Sequence, residues 1–534
     1  MKKVIGFNSL WCLFWPMLLM SCGHENNLKS GDENRSYGKD SPLTDLPPQF
    51  ESQVDAYIQK FERVPNSGVA IAIVKNGKTI FEKGYGYKDQ ATKSSVDSHT
   101  IFGIGSNTKM FTSATIAAEH IDIKTPIKKY IPNFKMSDKY ASTHITLEDL
   151  LSHRSGLPDS DIIDDFAPFS RENLVDDRIQ YLPLNPNVEY GFGSKWVQYN
   201  NLNYAISADV LEKFAKNTWE DEVRKQLLNP IGMNETNFSI IESSKYENFA
   251  KPYAGNSALT PLQIYGMAPA GAMNSNLNDL EKWVATLQSI ENNENTNLFT
   301  KDDLENLWQP RTDATQMLKT PTQYGLGWFI STIDGNKRLV WHGGNITGYS
   351  SHISLLPEKG LALIILTNQN AESQFEFPFM TKQGTQNIPL LPLYIYNLIL
   401  KNSDSEIDLN SINLSNGTNS STPHDTPLVI NNNSTSPFDS SEYSSVYNNK
   451  GYGEIKIFEN NKNELIFDYY GTQSKLTPTD KPDIFFITLE IEAEHPQYTV
   501  SFQRSNNEVT GFTVNFQPIT APIALGPVQF DKNK

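Results

Sequence analysis

The chain has 534 residues, a mass of 60.2 kDa and a formal net charge of −16, with 38% hydrophobic and 20% charged residues. That length exceeds one ordinary domain, and the composition is that of a globular protein with polar stretches. The acidic balance argues against nucleic acid as a partner, since phosphate binding needs a basic face, and two cysteines, Cys12 and Cys22, exclude a disulfide scaffold or a multi-cysteine zinc site.

At the N-terminus, Lys2 and Lys3 precede an apolar run from Trp11 to Met20, short for a membrane span and suited to a secretory signal. It ends Leu19-Met20-Ser21-Cys22, which resembles the bacterial lipobox: apolar at −3, small at −1, then the cysteine that carries the lipid. The expectation is a lipoprotein signal peptide over 1–21, lipidation of Cys22, and a lipid anchor in the membrane of a bacterial cell envelope. The bland alternative is an ordinary signal peptide with an accidental cysteine. Cleavage would remove Lys2 and Lys3 and take the charge from −16 to −18, so that attachment would rest on the lipid. Residues 22–48 are polar and read as a flexible tether.

Helical spacing of Phe50, Val54, Tyr57, Ile58 and Phe61 predicts a helix. Val69–Val74, the Asn76-Gly77 turn and Thr79–Phe81 predict a β-hairpin. From about 100 to 300 the pattern is mostly helical, and strands return at Tyr324–Ile333, Arg338–Trp341, Ser350–Pro357 and Leu361–Thr367. Unbroken apolarity over Leu361–Leu366 marks a central strand buried on both faces. A last helix is expected over Leu390–Lys401. Strands flanking a helical block give an α+β domain over 49–401, an antiparallel sheet flanked by helices with a helical subdomain. An Asn/Ser-rich linker follows over 402–436, and alternating segments from 437 to 534 predict a small all-β module, a sandwich or barrel.

The candidate nucleophile is Ser106, in Gly105-Ser106-Asn107-Thr108-Lys109. The Ser-x-x-Lys spacing alone says little, since Ser36 and Lys39 in the tether share it. Ser106, however, follows a strand-like Thr100-Ile101-Phe102 and opens a helix, where i and i+3 share a face, so Lys109 lies one turn below it. A buried ammonium loses charge more easily than an exposed one and can help take a serine proton. The alternative is an N-cap serine with a surface lysine. Tyr199-Asn200-Asn201 offers a tyrosine for proton transfer and, in Asn201, an amide to orient the lysine or a substrate carbonyl. The same Tyr-x-Asn spacing at Tyr246 and Tyr447 shows how weak it is alone. His342-Gly343-Gly344, between two predicted strands, supplies glycines that let a backbone approach a ligand, or is a plain turn beside a satisfied histidine.

In this order, the three elements resemble the motif set of the penicillin-recognising serine hydrolases. Ile101 to Thr112 resembles the nucleophile segment of the class C β-lactamase-related family, as do Leu150 to Leu157, Tyr199 to Tyr204, Leu228 to Thr236 and Trp341 to Asn368 in their own places. The resemblance covers roughly residues 50–400, and more loosely the C-terminal module resembles the small β-barrel appended to many of these hydrolases. It implies that Ser106 forms an acyl-enzyme on an amide or ester, with Lys109 and Tyr199 sharing proton transfer. It places the oxyanion hole at the backbone N–H groups of Ser106 and Asn345, with Asn201, His342 and Gly344 lining the substrate. No metal or organic cofactor is implied, and a monomer acting on a small-molecule or peptide substrate is expected.

Two departures matter. β-Lactamases usually carry Lys-Thr-Gly where this chain has His342-Gly343-Gly344, and a histidine near pH 7 is mostly neutral. This favours a peptidase or esterase; the alternative is a class C-type β-lactamase or a non-turnover penicillin-binding sensor. The helix after Lys109 also runs quickly into Thr125-Pro126, about one turn sooner than is usual. His153 reads as loop support, and no His-Glu-x-x-His spacing suggests zinc.

Overall fold

The structure is a computed structural model that describes residues 46–61, 68–158, 169–294, 296–318, 320–333, 337–369, 390–400, 440–488, 497–514 and 527–533. The expected signal peptide, Cys22, the tether up to residue 45 with Ser36 and Lys39, and the 402–436 linker lie outside the described residues, whereas Leu46, at the end of the expected tether, is buried with Phe50 and Val54.

Helix α1 (Phe50–Phe61) leads into β1 (Val69–Lys75) and β2 (Lys78–Tyr85). Asn76 and Gly77 both take positive φ in the turn between them, the geometry that an Asn-Gly hairpin prefers. The helical block includes α2 (Thr108–Ala118), α3 (Leu202–Ala215), α4 (Ala268–Gly271) and α5 (Leu277–Glu291). The sheet is then completed by β3 (Thr312–Asp313), β4 (Thr322–Tyr324), β5 (Phe329–Ile333), β6 (Lys337–Ile346), β7 (Tyr349–Leu356) and β8 (Leu361–Thr367), followed by α6 (Leu390–Leu400). The eight strands are antiparallel in the order β2-β1-β8-β7-β6-β5-β4-β3.

Alternation along the central strands shows why their apolar runs are unbroken. Ala70, Ala72 and Val74 of β1 and Ala362, Ile364 and Leu366 of β8 join the core shared with the helical block. Val69, Ile71, Ile73, Leu361, Leu363 and Ile365 face the opposite way and pack with Phe50, Val54, Ile58, Leu391 and Ile395 of α1 and α6. Both faces are thus covered, and a polar residue has no solvent side to occupy. The helical side is anchored by Trp283 of α5, whose ring stacks on Phe111 of α2 at 4.6 Å.

Two local expectations are corrected. Tyr324–Ile333 is two strands around a turn at Gly325–Trp328, where Gly327 takes a φ of +83°. His342-Gly343-Gly344 lies inside β6, whose pairing with β7 runs from Val340–Leu355 to Ile346–Tyr349.

The C-terminal sheet contains β9 (Ser445–Asn449), β10 (Gly453–Glu459), β11 (Leu465–Tyr469), β12 (Thr472–Lys475), β13 (Thr477–Pro478), β14 (Ile484–Thr488), β15 (Gln497–Ser505), β16 (Glu508–Val514) and β17 (Val528–Lys532). These nine strands follow the order β12-β11-β10-β9-β17-β16-β15-β14-β13. The Thr488 N–H donates to Ser474 Oγ at 3.0 Å, drawing β14 toward β12, so the sheet is a nearly closed barrel. Its interior is filled with aromatic rings, Tyr447, Phe467, Phe502, Phe512 and Phe530 among them.

Candidate active site

Ser106 sits in a tight 3-10 turn, Gly105–Asn107, that runs directly into α2. Gly105 has a φ of +49°, a conformation that a side chain would strain. The turn is tied on three sides. Thr108 Oγ1 donates to the Gly105 carbonyl (2.7 Å) and accepts from the Met273 N–H (3.1 Å). Asn107 Nδ2 donates to Ser351 Oγ (2.7 Å), and that hydroxyl donates to the Ile104 carbonyl (2.7 Å). The nucleophile turn is therefore fastened to β7 and to the segment that links α4 to α5.

Lys109 follows one helical turn later and is fully buried. Its Nζ donates to Ser106 Oγ (2.9 Å), Asn201 Oδ1 (2.6 Å) and the Ala270 carbonyl (2.9 Å). It lies 4.8 Å from the Tyr199 ring centroid and 5.5 Å from that of Tyr204. Tyr199 and Asn201 are carried by the loop entering α3, which Asn200 fixes from inside. Asn200 Oδ1 accepts from the Leu202 N–H (2.7 Å), and Nδ2 donates to the carbonyls of Leu157 and Pro158.

His153 supports this loop, as expected of it. Its Nδ1 accepts from the Asn200 N–H (3.1 Å) and its ring lies 4.3 Å from that of Tyr199. Burial, then the Lys109 charge, then His342 push its pKa well below the usual histidine value, so the ring is neutral.

β6 passes against the nucleophile turn. A Cβ on Gly344 would lie 2.0 Å from the Ile104 carbonyl oxygen and 2.9 Å from the Ser106 nitrogen, and one on Gly105 would lie 2.8 Å from the Asn345 nitrogen. Only glycine at both positions allows this approach, which brings the Ser106 and Asn345 backbones side by side. The His342 imidazole is fully buried. Its Nε2 accepts from the Tyr324 hydroxyl (3.0 Å), and its Nδ1 donates to the Gly343 carbonyl (2.5 Å). Burial first, and the Lys109 charge second, push its pKa down to about 3. Both ring nitrogens are therefore engaged within the protein, and the ring lies 6.1 Å from that of Tyr199, on the same face of β6 as Gly344.

The other Tyr-x-Asn spacings stay apart from the site: Tyr246 is exposed and Tyr447 is in the barrel core. Sequence reasoning missed Ala270, Ser351 and Asn107. Ala270 acts through a carbonyl that any residue carries; the only hint is the small-residue run Ala268-Pro269-Ala270-Gly271, which permits close packing on α2. Beyond the Lys109 turn, a cavity of about 370 Å³ lies at the far end of α2, with Ser113, Ile116, Leu151, Leu307 and Leu326 in its lining.

Sheet, helical block and a serine–lysine pair beneath a tyrosine define a protein of the penicillin-binding fold. The model of the Beta-lactamase family matches residues 54–378, and the chain belongs to that family. Protein Flp of Staphylococcus aureus is 26% identical over 337 residues, 60% of this chain and 64% of its own length. The unguisins hydrolase UngD' of Aspergillus campestris is 27% identical over 341 residues, 59% of this chain and 61% of its own. The chain thus spans less than two thirds of the length of these relatives. Two solved structures share the fold. The octameric penicillin-binding protein homologue from Pyrococcus abyssi has 20% identity and a TM-score of 0.54, covering 91% of this chain and 99% of its own. FmtA from Staphylococcus aureus has 23% identity and a TM-score of 0.50, covering 67% and 88%.

Proposed function

We propose that the chain is a serine hydrolase that cleaves an amide or ester through an acyl-enzyme on Ser106, a peptidase or esterase rather than a β-lactamase. One observation carries this reading: a buried Lys109 Nζ 2.9 Å from Ser106 Oγ, held by Asn201 Oδ1 and the Ala270 carbonyl. Those two acceptors fix two of the amine's valences. In its neutral form the amine keeps both donations and turns its lone pair to Ser106 Oγ, ready to take the proton as the oxygen attacks. Tyr199, beside the amine, completes the path by which the proton reaches the leaving group. The N–H groups of Ser106 and Asn345 are the donors for the developing oxyanion. Water then releases the acyl group.

A neutral His342 supports the choice of branch, because position 342 brings no fixed positive charge to meet a substrate carboxylate. A relative named for hydrolysis supports turnover. The lipobox supports attachment to a bacterial cell envelope through lipid on Cys22.

A fluorophosphonate or fluorescent penicillin probe tests the reading. Labelling should be stoichiometric and lost in Ser106→Ala; folded protein that stays unlabelled, or labelling that survives the substitution, overturns it. A panel of nitrocefin, D-alanyl peptides, D-amino-acid amides and p-nitrophenyl esters then separates the branches. A stoichiometric burst with no steady state on every substrate would mean a non-turnover binder.

A further inference from the structure

The acceptor that Ala270 offers to Lys109 is not held by its own helix alone. Four residues before it, Gly266 is packed so tightly that a Cβ there would lie 2.6 Å from the Phe169 carbonyl oxygen and 2.5 Å from Leu174 Cδ1. The strip Tyr265–Ala270 therefore rests on the segment that begins at Phe169. That segment in turn rests on the C-terminal barrel. The Phe169 ring meets the Tyr470 ring edge-on at 5.2 Å, and the Arg178 guanidinium covers the Phe169 ring at 3.5 Å. Tyr470 is fixed from its own side, its hydroxyl accepting from the Glu454 N–H at 3.2 Å. Gly453, at a φ of +89°, leaves room for all three: a Cβ there would lie 2.5 Å from Tyr470 Oη, 2.9 Å from Phe169 Cζ and 3.2 Å from an Arg178 terminal nitrogen. A second contact flanks the first, with Leu182 against Gly451 and the Lys450 ammonium 5.2 Å from the Tyr181 ring.

We propose that the barrel positions the proton-transfer lysine of the neighbouring site: Tyr470 and Arg178, clamping Phe169, hold the Gly266–Ala270 backbone against Lys109 Nζ. As far as it concerns catalysis, this rests on the serine-hydrolase reading above. The contacts form one continuous path of packed groups, barrel turn to Phe169, Phe169 to Gly266, Gly266 to Ala270, and Ala270 to Lys109. Tyr470 and Arg178 touch no reacting atom and are positioning residues. Removing the Tyr470 ring leaves Phe169 with only the Gly453 backbone as a barrel contact. The Ala270 carbonyl then loses its fixed distance to Nζ, and with it the alignment of the amine on Ser106. Small misplacements at a reacting centre are costly in rate, whereas substrate binding in the cleft keeps its other contacts. The effect is expected on the acylation step and not on affinity.

The test uses the full chain with Tyr470→Ala, Tyr470→Phe and Arg178→Ala, and two readouts. The first is hydrogen–deuterium exchange of the peptide covering 264–273, with β1 as reference. Tyr470→Ala and Arg178→Ala should speed exchange at 264–273 and leave β1 unchanged, while Tyr470→Phe, which keeps the ring, should match wild type. The second is the first-order acylation constant with the fluorophosphonate probe, which does not depend on the folded fraction; the amplitude reports that fraction. It should fall about fivefold in Tyr470→Ala with probe affinity unchanged, and be restored in Tyr470→Phe. A variant that merely folded less well would lose amplitude and keep the constant. Unchanged exchange at 264–273 in both alanine variants overturns the proposal whether or not the chain is an enzyme. Faster exchange with an unchanged acylation constant overturns it also. Absence of labelling on wild-type Ser106 refutes the hydrolase reading instead, and the exchange result then decides the clamp alone.

Discussion

Gly344→Ala tests the geometry on which the oxyanion donors depend. Its Cβ would lie 2.0 Å from the Ile104 carbonyl oxygen and 2.6 Å from Ser351 Oγ, where ordinary contact begins near 3.4 Å. The strand and the nucleophile turn must therefore separate by about 1.4 Å, the difference between those two distances. The obstacle is backbone, so no rotamer change relieves it. The Ser106 and Asn345 N–H groups belong to the two separating pieces, and at least one leaves the oxyanion position. Loss of one such donor costs about 10²–10³ in rate, roughly 2.7–4 kcal/mol of transition-state stabilisation. We expect the acylation constant to fall about 10²-fold, with a stability loss of about 1–3 kcal/mol from overpacking. Stopped-flow acylation by a p-nitrophenyl ester, read beside a urea denaturation curve, measures both. An acylation constant equal to wild type in folded protein would refute the assignment of β6 to the oxyanion hole.

Lys109→Ala and Tyr199→Phe should each lower the acylation constant by at least about 10²-fold, and normal single-turnover kinetics in either would remove that residue from proton transfer. Trp283→Ala should cost about 3–5 kcal/mol in urea unfolding, because it removes a fully buried indole stacked on the helix that carries Lys109. His342, His153 and His352 all have depressed pKa values in the folded chain, chiefly from burial. Below the unfolded value of about 6.5 the unfolded chain binds more protons, so each histidine makes stability fall with pH by up to about 1.4 kcal/mol per pH unit, for His342 down to about pH 3. Urea midpoints at pH 7 and pH 5 should differ less in His342→Gln than in wild type; an equal difference would contradict a neutral buried imidazole. His342→Lys should lower the urea midpoint and bring no nitrocefin turnover, since the ammonium would replace an imidazole bonded to Tyr324 and Gly343 in a fully buried place. A gain in nitrocefin hydrolysis at an unchanged midpoint would show that position 342 faces the substrate.

Much of this is legible in the sequence, for reasons that differ by element. β8 was legible because a strand covered on both faces has no room for polar residues, and Leu361–Leu366 shows none. Ser106 and Lys109 were legible as a pair because helical geometry alone sets residues three apart on one face. The length of β6 was not. Gly343 and Gly344 carry the composition of a turn, and only the approach of Ile104 and Ser106 to the strand explains why glycine is needed there in extended backbone. The barrel strands β9 and β12 are hard to read from sequence because they are short and polar: Ser445–Asn449 and Thr472–Lys475 carry few large apolar residues. His342 illustrates the deepest gap. The sequence shows a histidine where related enzymes keep a lysine, and the natural reading is a substitution of one substrate-facing cation by a weaker one. The structure instead shows a neutral ring with both nitrogens used, one by Tyr324 and one by its own neighbour's carbonyl. A residue type reports what chemistry is available at a position; whether that chemistry is already taken up is decided by its partners, one of them eighteen residues away, and those are set by packing. The same holds for Lys109, whose most distant acceptor, Ala270, is a backbone atom that no side-chain pattern can announce.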